Sequence, residues 1–133
     1  MGFWLSIALG GALGAISRYW LGHWFNHFLG RRLPWGTLSV NVLGAGLLGF
    51  FAAWLLGHPG ETLLIHSESP LWAGLGVGFC GSLTTISSWS LESLRLALDR
   101  RAGALFTYIA LTLILCLMAV TVGFMLGGQL VPD

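Results

Sequence analysis

Four apolar runs joined by short polar links organise the chain. They extend over about Phe3 to Leu29, Trp35 to Gly57, Leu71 to Leu98 and Ala102 to Gly128. Each reaches the roughly 20 residues that an α-helix needs to cross the hydrocarbon of a bilayer. The pattern predicts an all-α membrane protein, one integral membrane domain over residues 1–133 with four transmembrane helices. The links, Gly30 to Pro34, His58 to Pro70 and Asp99 to Arg101, leave almost nothing outside the lipid. Trp4, Trp35 and Trp72 fall near predicted helix ends, where indoles favour the interface.

The third run breaks the pattern. It is longer than one straight crossing requires, and it contains the polar sequence Gly81-Ser82-Leu83-Thr84-Thr85-Ile86-Ser87-Ser88-Trp89-Ser90. Lipid offers no hydrogen-bond partners, so hydroxyls at this density need protein or water around them. The expectation is a third helix broken or re-entrant in mid-membrane, lining a path for something that is not lipid.

Composition narrows the class. The chain is 56% apolar and 8% charged, whereas a soluble domain carries about a quarter charged residues. No basic patch points to nucleic acid. Five of the six arginines, Arg31, Arg32, Arg95, Arg100 and Arg101, fall at the first and third links, while Glu61, Glu68 and Asp133 lie on the other side with no arginine. The positive-inside rule therefore places both termini outside the cytoplasm of a multi-pass inner-membrane protein. No cleavable signal is expected, because the first run is too long for a signal core and lacks a basic start. Cys80 and Cys116 lie in apolar runs and read as small buried hydrophobes.

Several polar residues stand out at membrane depth. Arg18 shares a helical face with Gly10, Gly14 and Gly22, which suits a buried structural or electrostatic role facing a vestibule or a partner. Thr37 and Asn41 share a face of the second helix and read either as interhelical glue or as donors to an anion. Thr84, Ser88 and Glu92 follow at four-residue steps, with Thr85 three before Ser88. Glu92 lies near the arginine-bearing end, where a helix-end ion pair or cap competes with a proton-coupling role. On the fourth helix Thr112, Cys116 and Val120 share a face beside Thr121; such threonines often bond their own backbone. Gly123 and Gly127 form a small-residue packing pair. Gly76-Val77-Gly78-Phe79-Cys80-Gly81 fits a dinucleotide fingerprint but lacks its strand-turn-helix setting. His23, His27, His58 and His66 lack metal spacing, and no nucleophile-base pair suggests an enzyme.

Together, Gly10-Gly11-Ala12-Leu13-Gly14-Ala15 with Arg18-Tyr19, Gly36-Thr37-Leu38 with Val40-Asn41, and Gly78-Phe79-Cys80-Gly81-Ser82-Leu83-Thr84-Thr85 with Ser87 and Glu92 resemble the CrcB/Fluc family of fluoride channels over essentially the whole chain. The resemblance implies an antiparallel dimer of four-helix subunits with two narrow anion pores, exporting fluoride passively. It implies Asn41 as a pore-facing amide, with Thr37, Ile86, Ser88, Trp89 and Thr112 along the pore and Arg18 near the vestibule. It also implies a structural sodium ion at the dimer centre, on backbone carbonyls of Gly81 and Thr84.

The chain departs from the family at Ile86 and Trp89, where two phenylalanines are usual, and at Cys116 and Val120, where hydroxyls usually continue a polar track. With the arginine bias, these departures raise the expectation that the antiparallel partner is either a second copy or an oppositely oriented homologue that supplies the missing pore groups. Two other classes remain. A non-conducting structural subunit is one. A small proton-coupled multidrug exporter is the other, but it would need a carboxylate in the first span, where this chain has Arg18.

Overall fold

The computed structural model describes residues 1–29, 33–56 and 69–130. Arg31, Arg32, Gly57, His58, Glu61, His66, Glu68 and Asp133 lie outside the described residues. Among those described there are helices and short turns and no strand: α1 (Gly2–Leu29), α2 (Trp35–Leu56), α3 (residues 70–83), α4 (Ile86–Leu98) and α5 (Ala102–Gly128). α2 and α5 are each long and apolar enough to cross a membrane. The outward faces of α1 and α5 carry Leu9, Leu13, Trp20, Leu117, Phe124 and Met125, all more than half exposed. Apolar surface so continuous suits lipid or another chain better than water.

Two helix pairs make the body, α1 against α3 and α2 against α5. Glycine sets both approaches. A Cβ at Gly10 would fall on the Gly74 carbonyl, and one at Gly14 on the Phe79 carbonyl. Across the other pair, Gly123 faces the Gly46 carbonyl, Gly127 the Phe50 carbonyl and Gly49 the Val120 carbonyl, each with no room for a side-chain carbon. Lipid tails are as apolar as leucine, so close backbone packing takes over the role that hydrophobic exclusion has in water. The Gly123 and Gly127 pair is thus a packing face, and Gly10 and Gly14 beside Arg18 pack against α3, whereas Gly22 has open space at its Cβ and its carbonyl faces Gly36 of α2.

α3 is irregular along its length. Ser69 caps its first turn, Pro70–Trp72, by accepting from the Trp72 amide at 3.1 Å, with proline at the first helical position. Residues Ala73–Cys80 then wind as a π-helix, and Gly81–Leu83 close one more α turn. Gly76 accommodates the Trp72 ring, which would lie 2.6 Å from a Cβ there. Thr84 and Thr85 leave helical geometry, at φ −81°, ψ 157° and φ −152°, ψ 124°, before α4 begins.

α4 ends in a Schellman turn. The Arg101 amide donates to Leu96 and the Arg100 amide to Ala97, at 3.0 and 3.1 Å, with Arg100 at φ 53° where glycine is the usual occupant. α4 packs through Leu96 against Leu38 of α2 and the fully buried Tyr108 of α5. At the other link, the Asn26 side chain of α1 accepts from the Gly36 amide at 2.7 Å and so caps α2 from outside it.

The glycine contacts predict unequal costs of substitution. Gly123→Val should lower stability by about 3 kcal/mol or more, because the neighbour is the Gly46 backbone carbonyl, which cannot rotate away. Gly103→Ala, with open space at its Cβ, should stay within about 1 kcal/mol of the parent. Unfolding in mixed micelles followed by circular dichroism measures both.

Candidate functional site

The break between α3 and α4 is held by Asn41. Its Oδ1 accepts from the Thr85 amide at 2.7 Å, and its Nδ2 donates to the Thr85 carbonyl at 3.0 Å. Only one orientation of the amide makes both bonds, so oxygen and nitrogen are assigned by the contact itself. Both backbone groups of a residue outside any helix are thereby satisfied by one side chain. Gly44, on the same helix, presses against the Thr84 methyl group, in a space that a Cβ would occupy.

Thr85 also starts α4. Its Oγ1 accepts from the Ser88 amide at 3.2 Å as an N-cap, and it lies 3.1 Å from Ser87 Oγ and 3.3 Å from Ser88 Oγ. Two backbone amides are diverted as a result. In a continuous helix the Thr85 amide would bond the Gly81 carbonyl and the Ser88 amide the Thr84 carbonyl. Here those amides donate to Asn41 and to the Thr85 hydroxyl. Arg18, half-buried on α1, donates from Nη1 to the Thr84 carbonyl at 3.4 Å. Gly81 is exposed, with nothing within 4 Å of its Cβ position.

Beside the break lies an open groove of about 540 Å³. Asn41, Thr84, Ile86, Trp89, Thr112 and Cys116 line it, drawn from α2, the break, α4 and α5, and Val120 lies further along its wall. Ile86 stands largely exposed at 78%. The lining is mostly apolar, and its hydroxyls face their own helices. Thr84 donates to the Cys80 carbonyl at 3.0 Å and Thr112 to the Tyr108 carbonyl at 2.7 Å. Thr121 likewise bonds Leu117, at 2.8 Å. Asn41 keeps one N–H beyond its bond to Thr85.

Thr37 and Glu92 meet one turn away. Glu92 accepts from the Thr37 hydroxyl through Oε1 at 2.9 Å and from the Tyr108 hydroxyl through Oε2 at 2.8 Å. Among the described residues the partners of Glu92 are therefore hydroxyls of α2 and α5, while Arg31 and Arg32, candidates for the expected helix-end ion pair, lie outside them. The reason is geometric, since Glu92 sits on the face of α4 turned into the bundle while Arg95 is exposed. Ser88, with its hydroxyl on Thr85, connects this cluster to the break.

Tyr108 is a site residue that sequence inspection passed over. It lies four before Thr112 on the same helical face, and that spacing was the available signal. Asn26 carried no such signal, because its partner amide lies on another helix. His23 and His27 are exposed on α1.

Comparison with known proteins adds kinship to this geometry. A family profile described as CrcB-like protein, Camphor Resistance (CrcB), matches residues 5–124. The Hahella chejuensis protein named Fluoride-specific ion channel FluC is 41% identical over 120 residues, covering 90% of each chain. The Geobacter metallireducens protein of the same name is 40% identical over 126 residues, covering 95% of this chain and 97% of its own. That of Acidobacterium capsulatum is 37% identical over 129 residues, covering 96% and 98%.

Removing the clasp should expose the break. Asn41→Ala leaves the Thr85 amide and carbonyl without partners and should cost about 2–6 kcal/mol, at roughly 1–3 for each stranded group. Amide hydrogen exchange at Thr85 should accelerate with it. Unchanged protection of that amide would show that the bonds to Asn41 do not hold it.

Proposed function

The chain belongs to the CrcB family, and on that premise we propose that it is a subunit of a passive fluoride channel whose anion path runs along the groove beside the Thr84–Thr85 break. The observation that carries this is the double role of Asn41. The amide that holds the helix break also lines the groove, with an N–H to spare. Fluoride is small and strongly hydrated, so a path must replace its water with donors held in place beforehand. The apolar remainder of the lining excludes bulk water and strengthens each such contact.

On this reading α1, α2, the α3–α4 pair and α5 are the four spans of an inner-membrane protein, and the break lies at membrane depth. Non-helical backbone is tolerated there only where protein or a water-filled path surrounds it, and the bonds at Thr85 meet that condition. The cell interior is the less acidic side, so HF enters, dissociates and leaves fluoride behind. An inside-negative potential then drives the anion out with about 2.3 kcal/mol per charge per 100 mV, and no catalytic residue or pump is required.

One chain supplies one wall of an open groove, and an antiparallel partner would supply the other. The family resemblance adds a sodium ion at the centre of such a pair, and the residues fit it. The carbonyls of Gly81 and Thr84 have lost their in-helix donors, and Gly81 stands on an open face. Arg18 engages one lone pair of the Thr84 carbonyl, and a carbonyl has two. When bound, the ion would supply a positive charge for carbonyls that the break leaves without amides. Arg18 itself orients the Thr84 carbonyl and neutralises part of the same end of α3.

The arginine distribution favours a particular partner. Five arginines on one side and none on the other commit the chain to one orientation, so an oppositely inserted homologue completes the pair more readily than a second copy. Reporters fused after the last residue should give signal from the non-cytoplasmic side alone. Equal signals from both sides would establish dual insertion and a homodimer.

Transport is tested with the purified protein in fluoride-loaded liposomes and a fluoride electrode. Efflux should follow dissipation of the membrane potential, with this chain alone or with its homologue co-reconstituted; no efflux in either case would leave a structural subunit. Cys116 then reports the path, because it lines the groove while Cys80 is buried. A small methanethiosulfonate reagent should cut efflux at least several-fold, and Cys116→Ala should resist it. Full efflux from the modified parent would place the anion elsewhere.

A further inference from the structure

The end of α4 joins a charged patch to an apolar stripe. Arg95, Arg100 and Arg101 are exposed there, with Asp99 as the acid beside them. Neither Arg95 nor Arg100 has an ion-pair or hydrogen-bond partner for its guanidinium among the described residues. Leu91, Leu94 and Leu98 share one face of α4 with Arg95 and are exposed by 50%, 55% and 74%. Glu92 and Leu96 turn the other way, into the bundle.

The helix itself sets the depth of this patch. With the break at membrane depth, as the channel reading has it, α4 leads from there toward the surface. At 1.5 Å per residue, Arg95 lies about 14 Å along the axis from Ile86, and Arg100, past the closing turn, about 20 Å. Half of the hydrocarbon is about 15 Å thick, so the leucines run beside acyl chains while both guanidiniums reach the phosphate layer. Trp35 opens α2 at the same end and packs on the cluster of Leu38, Leu96 and Tyr108, at a level that suits an interfacial indole.

What fits both features is an anion that carries a hydrocarbon tail. A phosphate diester offers a guanidinium two oxygens in matching geometry, and the acyl chain below it meets the leucines. Free phosphate would use the arginines and leave the stripe bare. We propose that the end of α4 seats an anionic phospholipid, its phosphate on Arg95 and Arg100 and an acyl chain along Leu91, Leu94 and Leu98. The proposal rests on the membrane placement of the break in the channel reading. The positive-inside orientation puts this end in the cytoplasmic leaflet, whose negative surface potential attracts it further. Lipid held there ties α4 to the bilayer and, through Leu96 and Glu92, steadies the contacts of α4 with α2 and α5 beside the groove.

Arg100 offers a clean substitution, because it occupies a left-handed position, φ 53°, that glycine fills with less strain. Arg100→Gly removes the charge and should unfold no lower than the parent in neutral detergent. Native mass spectrometry of the full chain in that detergent, titrated with phosphatidylglycerol or phosphatidylcholine, measures binding. The parent should hold phosphatidylglycerol more tightly. Arg100→Gly and Arg95→Gln should each weaken it about fivefold, the equivalent of about 1 kcal/mol per arginine near a charged surface, and leave phosphatidylcholine unchanged. Unaltered phosphatidylglycerol binding in both variants overturns the site, and so does equal affinity of the parent for the two lipids. Glycerophosphoglycerol, the same headgroup without chains, should bind far more weakly. Binding as tight as that of the lipid marks a site for free phosphate esters and overturns the lipid seat. Fluoride efflux from phosphatidylcholine liposomes separates the two claims. Selective lipid binding without efflux keeps the site and overturns transport; efflux without lipid selectivity does the reverse.

Discussion

A peptide group that leaves a helix inside an apolar bundle must find new partners for both its N–H and its C=O. At Thr85 one residue supplies them, and Asn41 does so from the middle of a neighbouring helix. That contact frees Thr85 to cap α4 with its hydroxyl. It also withdraws donors from the carbonyls of Gly81 and Thr84, and it puts the Asn41 amide on the wall of the groove. The break, the start of α4 and the polar spot in the groove therefore share one cause.

The glycine seams make that arrangement reachable. α1 can bring Arg18 to the Thr84 carbonyl only because Gly10 and Gly14 let its backbone lie directly on α3. α2 and α5 come equally close through Gly46, Gly49 and Gly123, and this sets Thr37 of α2 and Tyr108 of α5 across Glu92. A bulky residue in either seam would act on the site at a distance, by spreading helices whose polar groups meet at about 3 Å.

Charge has two separate settings. Arg18 and Glu92 are the ionisable groups drawn toward the site, and each is met by hydrogen bonds: a carbonyl for Arg18, hydroxyls for Glu92. Arg95, Arg100 and Arg101, by contrast, are exposed at the end of α4. Arg100 occupies a left-handed position at the end of α4 that glycine would fill with less strain.

By itself the sequence determined where the helices run, because apolar runs at membrane length admit little else. It determined also that Thr37 with Asn41, and Thr84 with Ser88 and Glu92, share helical faces, since the 3.6-residue period is local. The CrcB kinship was legible too, because it lies in the order of motifs along the chain. What those faces touch was decided by the tertiary structure. Asn41 bonds a residue 44 positions away, and Thr37 a residue 55 away. Such pairings depend on helix register, which no local pattern encodes. The π-helical winding of Ala73–Cys80 was hidden for a similar reason: its glycines are equally compatible with an α-helix, and packing against α1 distinguishes the two. In sequence the Thr84 hydroxyl reads as part of a polar face lining a path, and Thr112 as a threonine of the kind that often bonds its own backbone. Folded, they donate to their own helices, because a carbonyl one turn back is the nearest acceptor in an apolar wall.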